Sequence, residues 1–351
     1  MKKITTLTLA LVLLLFGIAA CKKAGPPAAG SATAEGMLSM IPKSAQGVVV
    51  LDVRAGLNTT VIDKMLKEGE GTQKYLEFVK ETGLDPQKDI YYAVIGMMGT
   101  EGLNNASPAV IVNVKYDKDK LLAKLKEKAT NVTEEVYEGL TIYTVPEADE
   151  KKPMSGVFYD NSNIIFGEAK DVKAVIDVVK KGGESILKNE ALAALLKTAD
   201  KSAMVWAAIA FPPDMMKSVA AQNPMASSLE NMKSLLVALN YKNKALQIEI
   251  KGMGGDAEKN KQTADALNGF KALGAMASAE KPEIGELVNK IEVTSSAEFV
   301  KIAANLPEDL LTKLGATAQE QVKEKLAGAK DEEKKDEKKD IKKEDPAPIK
   351  K

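Results

Sequence analysis

Cys21 is the only cysteine in this chain of 351 residues. Its thiolate is a good nucleophile, which suits Cys21 to covalent modification. The sequence has no histidine, so a Ser-His-Asp or Cys-His relay and zinc sites built from histidine and cysteine are excluded. A disulfide within the chain is excluded as well. Acid–base chemistry is left to carboxylates, lysine and tyrosine.

The residues before Cys21 have the layout of a secretory signal peptide. A basic pair, Lys2 and Lys3, precedes an apolar run over residues 7–18, and small residues end at Ala20. The run is shorter than the ~20 residues that a membrane-spanning helix needs, and no other segment reaches that length. We therefore predict cleavage between Ala20 and Cys21. The alternative is an ordinary cleaved signal that is followed by a chance cysteine.

The four residues Ile18, Ala19, Ala20 and Cys21 resemble the lipobox of bacterial lipoproteins, in which an aliphatic residue and two small residues precede the cysteine. The resemblance implies that the Cys21 sulfur receives a diacylglyceryl group, that residues 1–20 are removed, and that the new amino group is open to acylation. Because two or three acyl chains contribute ~0.8 kcal/mol per buried CH₂, such a protein stays anchored to a membrane.

Residues 21–36 lack large apolar side chains other than the modified cysteine, so we predict a flexible linker between the membrane and the folded part. The residue after the cysteine is Lys22, where aspartate would favour inner-membrane retention in well-studied lipoproteins. The resemblance therefore favours the outer membrane, facing the periplasm. The cell surface and the inner membrane are the alternatives.

Composition restricts the partners. The 49 basic and 49 acidic residues balance, so the chain has no strong electrostatic field to attract nucleic acid. Arg54 is the only arginine, which disfavours bidentate recognition of phosphate groups. Aromatic residues make up only 5% of the chain, which weakens the case for a sugar-binding cleft. We expect no cofactor and no metal. An envelope protein or peptidoglycan is the partner class left open.

Four stretches could carry carboxylate or anion chemistry, and each has a structural interpretation. Asp52 lies in an apolar strand and is expected on the face opposite Leu51 and Val53, where a solvated or lysine-paired role is its structural interpretation. Glu134 and Glu135 are adjacent in a strand and must point to opposite faces, so they are poor catalytic partners. Residues 159–163, YDNSN, have too few oxygens for an EF-hand and fit a hairpin turn. Residues 252–260, GMGGDAEKN, lack the P-loop lysine and fit a tight turn.

Strand-like and helix-like segments alternate along the chain. Gly47 to Val53 is rich in β-branched residues and predicts a buried strand, and a helical region follows over residues 60–82. The clearest helix is KDVKAVIDVVKKGG, in which Val172, Val175, Ile176 and Val179 share a face and Gly182 ends the helix. Asp117 and Asp256 are predicted N-caps of later helices.

The order of elements repeats after a second Lys-Ser-Ala sequence, at residues 43–45 and again at 201–203. We predict an α+β fold of two related halves, residues 37–183 and 184–329, with a mostly antiparallel sheet and helices packed on one face. Two separate domains and one shared sheet are both compatible with this pattern. The layout is similar to uncharacterised duplicated α+β domains of bacterial envelope lipoproteins.

Residues 330–351 form a charged Lys/Glu/Asp tail that we predict to be disordered. The leading hypothesis is a lipid-anchored envelope protein that is not an enzyme and acts by binding or scaffolding. The alternatives are a solute-binding lipoprotein of a transporter and, third, a carboxylate-dependent hydrolase.

Overall fold

The structure is a computed structural model that describes residues 33–68, 71–99, 106–146, 152–212, 215–222, 224–278 and 282–317. The predicted signal peptide, the lipobox with Cys21 and the charged tail lie outside these residues. None of the described helices is long and apolar enough to cross a membrane.

The described strands form one antiparallel sheet, which confirms the predicted α+β class. Its twelve strands are β1 (Gly47–Asp52), β2 (Ile90–Met98), β3 (Ser107–Val114), β4 (Thr133–Tyr137), β5 (Leu140–Val145), β6 (Met154–Phe158), β7 (Asn163–Gly167), β8 (Val205–Ala210), β9 (Ser234–Lys242), β10 (Ala245–Met253), β11 (Ile291–Ser295) and β12 (Phe299–Pro307). They lie in the order β11-β12-β10-β9-β8-β1-β2-β3-β7-β6-β5-β4.

The helices precede the sheet, connect its strands or follow its last strand. They are α1 (Ala34–Leu38), α2 (Val53–Leu57), α3 (Thr60–Glu68), α4 (Thr72–Thr82), α5 (Pro86–Asp89), α6 (Lys118–Lys128), α7 (Ala169–Lys181), α8 (Glu190–Thr198), α9 (Met215–Gln222), α10 (Ala257–Ala277), α11 (Pro282–Asn289) and α12 over residues 308–317, with short 3₁₀ helices at Ile186–Lys188 and Pro224–Leu229. Helix α1 begins inside the predicted linker, where the side chain of Thr33 caps it.

The two halves of the sheet share one topology. In the first half β1, β2 and β3 form a meander, and the last strand, β7, returns beside β3. In the second half β8, β9 and β10 form the same meander, and β12 returns beside β10. The first half carries one additional hairpin, β4 and β5, at its edge. The sheet is continuous across the junction because β1 pairs with β8.

The register of that central pair makes the halves symmetric. Val49 lies six residues after Lys43, Ala207 lies six residues after Lys201, and these two residues are directly opposite each other. The repeated Lys-Ser-Ala sequence therefore marks positions that are related by a local two-fold axis through the pair Val49–Ala207. The axis is normal to the sheet, so each half presents equivalent residues on the same face.

Helices cover both faces of the sheet, so the prediction of helices on one face is wrong. On the face of Val48 and Val50, which we call the first face, α1, α7 and α8 enclose a core with Trp206. On the opposite, second face, α2, α3, α4 and α6 enclose a core with Leu51 and Ile164. The central strands are apolar at nearly every position because both of their faces are packed.

Local sequence signals determine where several elements end. Gly182 ends α7 in the left-handed region, as predicted, with φ of 73°. Asp117 and Asp256 cap α6 and α10 by accepting hydrogen bonds from the backbone N–H groups of Lys120 and Lys259. Residues with positive φ give the tight turns of the hairpins. The short strand β11 and the helix α11 were not predicted.

Candidate functional site

A line of apolar side chains crosses the central part of the second face, with one residue from each of eight neighbouring strands. We call these residues the central row. Each is directly opposite the next in the register of the sheet, in the order Phe166, Val110, Ile95, Val49, Ala207, Val237, Ile250 and Ile302. At about 4.8 Å per strand these eight residues span about 34 Å. The half-buried Val293 of β11 lies directly opposite Ile302 and continues the apolar line.

The central row is incompletely covered. Ala207 is buried, whereas the other seven residues of the row are half-buried. One row further along the strands, Leu51, Ala93 and Val205 are 3%, 8% and 7% exposed, because the helices of the first half pack on them. Those helices form one wall of the central row, and Val49, Ile95 and Phe166 of the row also pack against the core beneath them.

The other wall belongs to the second half. Met232 lies over Gly252, where a Cβ would come within 2.3 Å of the Met232 Cε, and Val300 is 3% exposed next to it. Ala264 of α10 is buried at the same end of the sheet. We call the strip of the second face along the central row, between these two walls, the apolar groove.

The floor of the apolar groove offers nothing polar to a ligand. No residue of the central row is charged or carries a hydrogen-bonding side chain, and the backbone groups of these strands pair within the sheet. The first face of the same strands in the second half is different, because it carries Asn240, Gln247, Glu249, Lys251 and Lys301. In β10 and β12 of the second half, apolar side chains therefore dominate on the second face only.

The local two-fold axis passes through the centre of the apolar groove. It relates Ile95 to Val237, Val110 to Ile250 and Phe166 to Ile302, since each pair has the same place in the register of its half. Both halves thus contribute the same positions to the floor.

Asp52 has a structural role. Its carboxylate caps α2 by accepting a hydrogen bond of 2.8 Å from the Ala55 N–H. Burial raises the pKa of Asp52, although this hydrogen bond and Arg54 favour the ionised form. The guanidinium of Arg54 stacks on the Tyr91 ring, 4.9 Å from its centroid.

The other carboxylate candidates are not brought together. Glu134 pairs with Lys126 and Glu135 pairs with Lys173, so the two carboxylates point to opposite sides of β4, as predicted. Asp160 accepts hydrogen bonds from the backbone of Ser162 and Asn163 and forms the predicted turn of YDNSN. Among the described residues, no group of three or more His, Cys, Asp and Glu is placed to hold a metal ion.

The segment GMGGDAEKN forms the turn between β10 and α10. Gly254 has φ of 139°, which favours glycine, and a Cβ there would meet the Asn231 carbonyl oxygen at 2.5 Å. The buried Asn260 donates hydrogen bonds to the carbonyl oxygens of Ser296 and Ala297. The left-handed Gly254 and the hydrogen bonds of Asn260 therefore fix the conformation of this turn.

One buried carboxylate was not singled out by sequence reasoning. Asp171, in the first turn of α7, is 5% exposed, and burial raises its pKa. The hydroxyl of Ser107 lies near enough to favour the ionised form, but Asp171 Oδ2 and Ser107 Oγ are buried without a hydrogen-bond partner of standard geometry. Lys152, Lys170 and Glu168 are the charged groups around it.

The central row was also missed. Alternating apolar residues in each strand were visible in the sequence, but the row exists only through the cross-strand register of eight strands. The one signal that could have located its centre is the repeated Lys-Ser-Ala sequence, because it aligns Val49 with Ala207.

Comparisons with known proteins give a family and a distant structural likeness. The model of a family described as "Protein of unknown function (DUF3352)" matches residues 5–326. No curated protein matches the chain. The solved structure of TP0453 in crystal form III is similar at 11% identity and a TM-score of 0.44, covering 80% of this chain and 97% of that one. Crystal form I of TP0453 gives 8% identity and 0.43, with 82% and 98% covered.

Proposed function

The chain belongs to the DUF3352 family of unknown function, and we propose that it is a lipid-anchored envelope protein that binds an elongated apolar molecule in the apolar groove. The anchor is the lipid on Cys21. The protein has a non-catalytic binding role, and it takes its ligand from, or holds it near, the membrane to which it is attached.

One observation carries this proposal. Seven of the eight side chains in the central row are half-buried, although all eight are apolar and lie on the inner strands of a large sheet. Apolar surface gains ~25 cal/mol per Å² when it is removed from water, so a ligand that completes the cover of this row is stabilised along its whole length.

The residue content supports binding rather than catalysis. The carboxylates considered as acid–base partners are engaged in a cap, in ion pairs on opposite sides of a strand and in a turn. None of these carboxylates is directly opposite a residue of the central row in a neighbouring strand. No cofactor enters the proposal.

The lipid anchor is tested by replacing the modified residue. Cys21→Ser removes the sulfur that accepts the diacylglyceryl group, so we expect a soluble or uncleaved protein in cell fractionation. A cleaved variant that still requires detergent for extraction would contradict the anchor. The outer membrane is the expected location of the unaltered protein, and separation of inner and outer membranes on a density gradient measures it.

Binding is tested with a fluorescent fatty acid as probe. We expect saturable binding to the full-length protein and at least a tenfold weaker affinity for Ile250→Gln, which places an amide in the floor. The matched control is Thr294→Gln on β11, an exposed residue of the first face, which should leave the affinity unchanged. Absence of binding, or equal effects of both substitutions, would contradict the proposal.

A further inference from the structure

The second half of helix α10 carries a stripe of apolar and small residues on its outer side. Gly269, Ala272, Leu273 and Met276, which we call the α10 stripe, have the i, i+3, i+4, i+7 spacing of one helix face. Leu273 is 60% exposed and Met276 is 77% exposed, and a Cβ at Gly269 would have no neighbour within 4 Å. The described part of the chain therefore leaves this face without cover.

The other side of α10 is already packed. Thr263 and Ala264 are buried against the sheet. A Cβ at Gly274 would contact Val288 of α11 at 3.7 Å, so α11 lies along the same side. Since the inner side of α10 is occupied by the sheet and α11, the α10 stripe cannot be buried by a small rotation of the helix.

The described chain ends close to the α10 stripe. Its last residue, Thr317, donates a hydrogen bond of 2.9 Å to Glu283 Oε1 in the first turn of α11. One turn earlier, Lys313 Nζ lies 3.4 Å from Glu286 Oε2, so α12 runs antiparallel to α11. The first residue of α11 follows Ala277, the last residue of α10, by only five positions. Residue 318 therefore starts beside the end of α10 that carries Met276.

We propose that residues 318–329 fold back along α10 and cover the α10 stripe. The proposal is independent of the apolar groove. The segment AQEQVKEKLAGA has two large apolar residues, Val322 and Leu326, and their i, i+4 spacing places them on one face of a helix. The match to the family model extends to residue 326, which groups this segment with the folded part of the chain and not with the charged tail.

The lengths of the segment and of the α10 stripe agree. The stripe extends over seven residues of helix, which is about 10.5 Å at 1.5 Å per residue. Residues 318–320 reach about 10 Å when extended, enough to pass from α12 to the outer side of α10. Residues 321–329 as a helix are then about 13.5 Å long and run the length of the stripe. In this arrangement Val322 lies near Met276 and Leu326 near Leu273.

The small size of the α10 stripe favours a segment of the same chain over a separate molecule. Specific interfaces between two proteins bury ~800 Å² on each partner, and four residues supply only a fraction of that area. A segment that is covalently attached next to its site has a high effective concentration, so a small contact is sufficient.

Oxidation of methionine by hydrogen peroxide tests this cover, with sulfoxide counted at each residue by mass spectrometry. The full-length Cys21→Ser protein is used, because it carries no lipid that could cover the stripe. Met65, which is 54% exposed on α3, is the internal standard. Met276 is the more exposed of the two within the described chain, yet we expect it to oxidise at least fivefold more slowly than Met65.

Two truncations identify the covering segment. A chain that ends at Thr317 should oxidise Met276 faster than Met65. A chain that ends at Ala329 lacks only the charged tail and is the matched control, in which Met276 should stay protected. Faster oxidation of Met276 than of Met65 in the full-length protein would overturn the proposal. Protection that persists in the chain ending at Thr317 would also overturn it, because a second copy or another partner then covers the stripe.

Point substitutions in the full-length chain provide a second test that does not depend on folding of a truncated protein. The double variant Val322→Ser with Leu326→Ser should expose Met276 as truncation does. The double variant Glu320→Ser with Glu324→Ser has the same spacing on the opposite side of the helix and should leave Met276 protected. Cooperative thermal melting shows that each variant is folded. Equal oxidation of Met276 in the two double variants would overturn the proposal.

Discussion

Two aspartates on helix α7 show how burial and pairing set opposite pKa shifts within one element. Asp171 is buried near Ser107, and burial raises its pKa. Asp177 is paired with Lys181 at 3.0 Å and accepts a hydrogen bond of 2.8 Å from Tyr137 Oη, and these contacts lower its pKa. The ionised form of Asp171 therefore opposes folding, whereas the ionised form of Asp177 favours it.

The two aspartates predict opposite responses to substitution. The native state binds the Asp171 proton more tightly than the unfolded chain does, so stability falls as the pH rises through the raised pKa. Asp171→Asn should raise the melting temperature at pH 7, and its advantage should shrink as the pH falls toward 4.

Asp177→Asn is the matched control on the same helix. Its stabilisation is present above the unfolded pKa and is lost at acid pH, so this variant should melt lower than wild type at pH 7 and converge with it below pH 4. Thermal melts at several pH values measure both variants. If Asp171→Asn melts below wild type at pH 7, the conclusion that the ionised Asp171 carboxylate destabilises the native state is contradicted.

At the scale of elements, side-chain contacts join helices from different halves. Tyr241 of β9 is 4% exposed and donates a hydrogen bond of 2.7 Å to Glu308 Oε2 at the start of α12, and Thr60 Oγ1 of α3 lies 3.3 Å from both groups. The first-half helix α3 is thereby held against the last strands and the last helix of the second half. Val61 and Leu311 pack around the same tyrosine.

Tyr241→Phe should destabilise the protein by about 1–3 kcal/mol, because it removes a hydrogen bond to a charged group at a buried position. Urea unfolding measures the change. The control is Tyr143→Phe, which alters a buried tyrosine whose ring packs on Phe158. We expect this variant to lose less free energy of unfolding. Equal losses in the two variants would show that the contact between α3 and α12 contributes nothing of its own.

The elements differ in how far the sequence could predict them. Caps such as Asp117 and Asp256, and the glycine at 182, act through groups within a few residues, so they were visible in the sequence. The cover of both sheet faces depends on which helix returns to which side. The signal for cover on both faces is an unbroken apolar run in a central strand, such as GVVVL in β1 and VWAAIA in β8. Three of the five residues of β11 are polar, and so short a strand has too little pattern to be recognised.

At the scale of the whole molecule, the halves share both their sheet and their first-face core. The cluster around Trp206 contains Val48, Val50 and Val94 from the first half and Leu192 and Leu195 from the second. The strand β1 pairs on one side with β2 and on the other side with β8. Separation of the halves would expose β1 as an apolar edge strand.

A fragment of residues 37–183 is therefore expected to aggregate or to melt without cooperativity, whereas the chain from residue 37 to residue 329 should melt in one transition. Circular dichroism during a thermal melt compares the two. A cooperative melt of the fragment at a temperature near that of the longer chain would show that the first half is an independent domain.

The central claim is that an acyl chain lies along the central row of the second face, and photo-crosslinking tests it most directly. A fatty acid with a diazirine near its methyl end is bound to the full-length protein and irradiated, and the modified residues are mapped by mass spectrometry. The account predicts modification in β2, β3, β9, β10 and β12 at Ile95, Val110, Val237, Ile250 and Ile302 or their second-face neighbours. Modification confined to the first face, or to helix surfaces away from the groove, would contradict it.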